Sequence, residues 1–172
     1  LERGSLHEWA GLVSGGVPFF AYAEFPLFDI TFWTLMIAPT TVAAAHASFF
    51  IHLLLAGIGM FFLMGEFSKD KRASLVSALV FMYSGFFISH VSSNISYAYP
   101  FAYIPWAFLF AGKAVKSKDW AFYSALTGIL LAFQILSGGS LIFLLTMLSF
   151  GFFLLVQVIG RNFVGRAVKA AL

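Results

Sequence analysis

Cysteine is absent from all 172 residues, which excludes disulfides and thiolate metal ligation and leaves the compartment open. Charge is nearly as scarce: Asp, Glu, Lys and Arg make up 10% of the chain, against 61% hydrophobic residues. So little charge cannot cover a water-soluble surface of ordinary size, and the expected solvent is a bilayer. The Walker loop, the HExxH zinc helix and the glycine-rich dinucleotide fingerprint are missing too, so nucleotide-driven chemistry has no support in the sequence. Internal repeats, heptads and low-complexity linkers are lacking as well, and nothing points to nucleic acid. What the chain has instead is phenylalanine, 23 of them, set in long runs free of charge.

Residues 42–64 carry no formal charge over 23 positions, enough to cross a hydrocarbon core of about 30 Å at about 1.5 Å per residue. Four further apolar segments follow at 73–90, 97–115, 120–136 and 141–159, bounded by polar or glycine-rich turns. The expected fold is all-α: a polytopic transmembrane helical bundle of about five spans over residues 42–172, preceded by an extracytoplasmic, interfacial loop over residues 1–41. The segment 97–115 is interrupted by Pro100 and Pro105, so a re-entrant path competes with a crossing. Basic residues favour the crossing. Lys69, Lys71 and Arg72, then Lys113, Lys116 and Lys118, then Arg161, Arg166 and Lys169 are nine of the ten Lys and Arg residues, and a crossing puts all nine on one side. Tyr97, Tyr99, Tyr103 and Trp106 then form an aromatic belt at the outer end, with Lys113 snorkelling at the inner end.

The opening stretch from Gly15 to Asp29 is greasy but carries Glu24, Asp29, Pro18 and Pro26. It is too short and too broken to span, and a carboxylate at mid-bilayer costs about 2.5–3.5 kcal/mol on insertion scales. Glu24 and Asp29 are therefore expected at the interface or in a wet cavity. Four of the seven acids (Glu2, Glu8, Glu24 and Asp29) lie in this outer segment, beside His7 and with Arg3 as the lone basic residue. Asp29 also stands where an N-cap for a helix from Ile30 would. His52, near the middle of the first span, shares a helix face with Ser48, Ala56 and Gly59, which favours an interhelical hydrogen bond at a close crossing. His46 is six residues from it and off that face, so the two make no metal pair. Ser137, Gly138, Gly139 and Ser140 read as a tight helix–helix turn, with Gln134 one helical turn before.

Several pieces, in order, carry a resemblance: GSLHEW at 4–9, SGGVP at 14–18, HLLLAGIGM at 52–60, FMYSGFFISH at 81–90 and YIPW at 103–106. Together they resemble the YfhO-like family of prokaryotic multi-span membrane proteins, grouped with the GT-C glycosyltransferases. The resemblance implies an inverting enzyme that moves a sugar from a polyprenyl-phosphate donor to an extracytoplasmic acceptor. It also implies a plasma-membrane location in a bacterium or archaeon, with the N-terminal segment outside and the C-terminus inside. Gly15, Gly16 and Pro18 match the family's outer-loop signature and are expected on the substrate side. Glu24 falls where the family more often has glutamine, and His90 matches the histidine after Ser-Gly-Phe-Phe.

Such chemistry needs a base for the acceptor and donors for the departing phosphate. Glu24 or Asp29 is the catalytic residue expected to orient the acceptor or assist the base, and His90 with Asn94 the expected hydrogen-bonding partner of phosphate or sugar. No cofactor is implied with certainty, and a divalent metal stays open. Two departures stand out. The acidic base expected after a first span would lie upstream of Leu1, and LSGGS at 136–140 replaces a Gly-His-Pro-Gln-like turn. Residues 1–41 have neither signal peptide nor span before them, so the chain is expected to be a fragment, inactive alone. A transporter or flippase, or a non-catalytic scaffold, is the competing reading.

The charge asymmetry makes a direct prediction. With Cys introduced by Ser93→Cys and Ser117→Cys, each alone, an impermeant thiol reagent should reach the first from outside and the second only after permeabilisation. Labelling of both from the same side would refute the arrangement.

Overall fold

The computed structural model describes the backbone of residues 9–10, 17–18, 29–93 and 95–170, and the side chains of 29–90 and 97–156. Apart from one minimal antiparallel pair, β1 (Trp9–Ala10) and β2 (Val17–Pro18), its elements are helices: α1 (Ile30–Ile37), α2 (Thr41–Phe67), α3 (Lys71–Met82), α4 (Gly85–Ser93), α5 (Ile95–Phe101), α6 (Ile104–Lys116), α7 (Trp120–Leu136) and α8 (Ser140–Ala170). The all-α expectation holds. Among the described residues two stretches are long and apolar enough to cross a membrane, Thr41–Phe67 and Lys71–His90, while Trp120–Leu136 and Ser140–Val156 are apolar but shorter.

Local chemistry sets the boundaries. Asp29 caps α1 by accepting from Thr31 N at 3.2 Å, Thr40 caps α2 by accepting from Ala43 N at 3.1 Å, and Asp70 caps α3 by accepting from Arg72 N at 2.9 Å. Each satisfies an amide that the first helical turn leaves unpaired. Between α7 and α8 the chain turns at Gly138, whose φ of 87° is open to glycine at little cost.

Two of the expected spans are interrupted. The segment 73–90 breaks at Tyr83 and Ser84, where the Ser84 hydroxyl accepts from Phe87 N at 3.4 Å and restarts the chain as α4. The segment 97–115 divides into α5 and α6 because Pro105 lacks an N–H and its ring clashes with the carbonyl of Phe101. The chain tightens there, with Ala102 N bonded to Tyr99 O at 3.0 Å and Tyr103 N to Pro100 O at 3.3 Å. The aromatic belt is a second correction. Tyr99 and Tyr103 are buried, because the tight turn aims them at polar groups on other helices, and the Trp106 indole donates to Leu55 O at 2.8 Å.

α2 is the hub, packing against α1, α3, α5 and α6, while α6 packs in turn on α7 and α8. A core of Leu53, Ala56, Phe87 and Ala102 gathers Phe49, Phe81 and Phe101 around it. At the far end of α2, Glu66 meets Lys113 at 3.6 Å, so α2 and α6 finish side by side and the first two basic clusters share one end. Away from the core the surface is apolar, with Leu148 76% and Phe152 70% exposed.

Contacts at α2 depend on two glycines. A Cβ on Gly59 would lie 2.5 Å from the Trp106 indole nitrogen, and a Cβ on Gly57 would run into the thioether of Met82. Trp106 is rigid and hydrogen-bonded, whereas Met82 is unbranched and can swing aside. Gly59→Ala should therefore destabilise by about 1–3 kcal/mol and Gly57→Ala by clearly less, measured as thermal unfolding of each variant in the same detergent. Equal losses would mean that the Trp106 contact is not limiting.

Candidate functional site

The strongest concentration of polar chemistry among the described side chains is centred on Asp29. A carboxylate placed just before α1 would ordinarily face water, yet here it is 0% exposed. One oxygen accepts from Tyr103 OH at 2.7 Å, Ser137 Oγ at 3.0 Å and His52 Nε2 at 3.2 Å. The other accepts from Thr31 Oγ1 at 2.6 Å and Thr31 N at 3.2 Å. Five donors from four parts of the chain thus converge on one side chain. The expectation that Asp29 sits at an interface or in a wet cavity is corrected: protein donors replace the water.

Proton bookkeeping orients the network. Thr31 spends its hydroxyl proton on Asp29, so Ser48 Oγ, 2.8 Å from Thr31 Oγ1, is the donor of that pair. His52 Nδ1 then faces the Ser48 carbonyl at 2.8 Å while Nε2 faces Asp29. Both ring nitrogens thus face oxygens of the surrounding chain. With four other donors already on the carboxylate, Asp29 is the acceptor in its pair with His52 Nε2. Tyr99 stacks on that ring with centroids 4.1 Å apart and planes 9° apart, which fixes the plane of the imidazole.

Asp29 lies outside the spanning helices, and opposing effects act on its carboxyl. Burial pushes it up, while the hydrogen bond and charge of His52 and the hydroxyls of Thr31 and Tyr103 pull it down. The second group prevails, holding the carboxyl below the usual carboxylate range.

A second polar node lies one helical turn away on α7. Gln134 is 1% exposed and donates through Nε2 to Pro100 O at 3.1 Å and Thr146 Oγ1 at 2.8 Å, which ties α7 to α5 and α8. Its Oε1 has no partner among the described residues.

The residues singled out in the sequence separate as follows. Asp29 is central, but its oxygens are filled, so it serves as both the N-cap and the anchor of the network. His52 makes its cross-segment bond with Asp29, on the buried face it shares with Ser48, Ala56 and Gly59. His46 is exposed. His90 is not a partner of Asp29: its Nδ1 meets Phe86 O at 2.9 Å, and its ring stacks on Phe86 at 4.2 Å and meets Tyr97 edge-on. Glu24, Gly15, Gly16 and Asn94 lie outside the described residues, and of Pro18 only the backbone pairing with Trp9 is described. In the sequence Tyr103 reads as an interfacial aromatic, Ser137 as part of a turn and Ser48 as a neighbour of His52 on its helix face, none of them as a partner of Asp29, and Thr31 is not singled out. The available signal was His52, a mid-span polar group that calls for a partner. Among the described residues no three His, Cys, Asp or Glu side chains gather as a metal site.

Compared with known protein families, curated proteins and solved structures, the chain finds no match in any of the three.

Removing the carboxylate should be costly. Asp29→Ala leaves the buried donors of His52, Tyr103 and Ser137 without their shared acceptor, at about 1–3 kcal/mol for each unsatisfied group, and Tyr103→Phe removes one charge-assisted bond at about 1.5–3 kcal/mol. Ser137→Ala should cost least, because the Ser137 proton is shared with Phe133 O at 2.7 Å. A carboxyl held low in the folded state contributes stability above its unfolded value of 3.8 and loses it as the pH falls through the folded value. Thermal unfolding of wild type should therefore weaken in acid, with a shallower dependence in Asp29→Asn. The same acid dependence in both proteins would remove Asp29 as the origin.

Proposed function

We propose that this chain is part of a polytopic membrane enzyme of the GT-C type, moving a sugar from a polyprenyl-phosphate donor to an acceptor on the extracytoplasmic face. The observation that carries the reading is the position of the Asp29 network. It joins the segment before α1 to the start of α6 and the end of α7, while Lys113, Lys116 and Lys118 lie at the opposite ends of those two helices. Under the positive-inside rule the basic end is cytoplasmic, and the network then belongs to the outer half, where a lipid-linked donor would be met. The apolar outward surface and the two helices of spanning length support a plasma-membrane location. The lipid bilayer is then both solvent and source of the donor.

Within this reading Asp29 is a positioning residue. It holds the residue before α1 against the start of α6 and the end of α7. Glu24 orients or deprotonates the acceptor, and His90 with Asn94 hydrogen-bonds the departing phosphate.

A transporter or flippase is the second reading, favoured by one feature: the helix broken at Ala102 and Tyr103 meets a buried Asp–His pair, and broken helices and buried ionisable groups also suit a substrate path.

The test is sugar transfer in vesicles holding the full-length protein and a polyprenyl-phosphate sugar. Glu24→Gln should be milder than Glu24→Ala, since the resemblance permits glutamine there. His90→Ala should lower turnover per folded molecule by about 100- to 1,000-fold, the usual effect of losing one transition-state donor, with little change in membrane abundance. Near-normal turnover with reduced abundance would make His90 a membrane anchor. Substrate translocation without transfer would replace the enzyme by the transporter.

A further inference from the structure

At the basic end, α6, α7 and α8 leave an apolar groove of about 490 Å³. Its walls include Ala111 and Val115 from α6, Trp120, Gly128 and Leu131 from α7, and Phe150 from α8. From Trp120 to Leu131 it follows α7 for about 16 Å at the helical rise of about 1.5 Å per residue. That is close to the depth of one leaflet, half of a hydrocarbon core of about 30 Å. The short connection from α6 to α7 lies beside the groove, between its wall residues Val115 and Trp120. It carries Lys116 and Lys118, both exposed, against one acid, Asp119. Lys113 is committed to Glu66. Trp120, 63% exposed, is the amphipathic residue expected at a headgroup boundary.

We propose that this groove is a binding site for an anionic phospholipid of the leaflet at the basic end, with an acyl chain against α6, α7 and α8 and the phosphate on Lys116 and Lys118. Charge selects the occupant. A neutral peptide or a second copy could cover the apolar wall, but neither has a use for two exposed lysines at its mouth that make no ion pair among the described residues, whereas a lipid phosphate does. The site rests on the membrane reading given above and concerns the end away from the proposed transfer chemistry.

The groove can be filled without disturbing its walls, because a Cβ on Gly128 meets no atom within 4 Å. Full-length chain is reconstituted with phosphatidylglycerol and phosphatidylcholine in equal amounts, extracted into mild detergent, and weighed with its retained lipid by native mass spectrometry. Wild type should keep one phosphatidylglycerol in preference to phosphatidylcholine. Lys116→Gln and Lys118→Gln should each reduce that preference about fivefold, the factor expected for one lysine near an anionic surface. Gly128→Leu should abolish the retention while leaving thermal unfolding in phosphatidylcholine unchanged.

Equal retention of the two lipids, or a preference that survives Gly128→Leu, overturns the site. A Gly128→Leu variant that instead converts a dimer to a monomer gives the groove to a second copy and overturns it too. Vesicle flotation separates this failure from that of the underlying reading: a chain that floats with vesicles yet retains no lipid refutes the site alone, and one that floats with neither lipid refutes the membrane reading as well.

Discussion

One buried carboxylate organises the upper half of this molecule. Asp29 is fully buried, and an isolated charge in such a place would be prohibitive. It persists because α1 supplies an amide and a hydroxyl, α2 an imidazole, the start of α6 a phenol and the end of α7 another hydroxyl. These elements must all be in place before the charge is satisfied. Dependence therefore runs both ways: the helices hold the acid, and the acid fixes their heights relative to one another.

The interrupted helices follow from the same need. A straight helix through residues 97–115 would carry Tyr99 and Tyr103 along one continuous ladder. Pro105 breaks that ladder, and the tight turn at Ala102 lets Tyr99 stack on His52 while Tyr103 reaches Asp29. Ala102 is fully buried, so the turn sits in the core with Leu53, Ala56 and Phe87. Freed backbone groups at such a break need partners, and Gln134 provides one for Pro100 O. The glycine at position 59 completes the fit by admitting the Trp106 ring beside α2.

Polar and basic ends give the molecule a direction. Along α2 the buried pair at His52 and the exposed-side pair at Glu66 are about 21 Å apart, from 14 residues at about 1.5 Å each. The first is desolvated and rigid; the second, half-exposed at 3.6 Å, contributes little to stability. Function belongs with the first end in the reading proposed above, and membrane anchoring with the second.

The sequence alone determined the helical class and some helix limits: the apolar run at 120–136 coincides with α7, Asp29 caps α1 as its position suggests, and the glycine pair after Ser137 makes the turn. These are local matters, decided by hydropathy, capping and φ preference within a few residues. His52 marked a polar requirement inside an apolar run, but not what would meet it. Tyr103 looked like an interfacial aromatic and Ser137 like part of a turn, because neither residue's neighbours in the chain distinguish inward from outward. Only tertiary packing brought them to Asp29, from 74 and 108 positions away, since the direction of a side chain at a helix end depends on where the helix breaks and on what the adjoining helices leave unsatisfied.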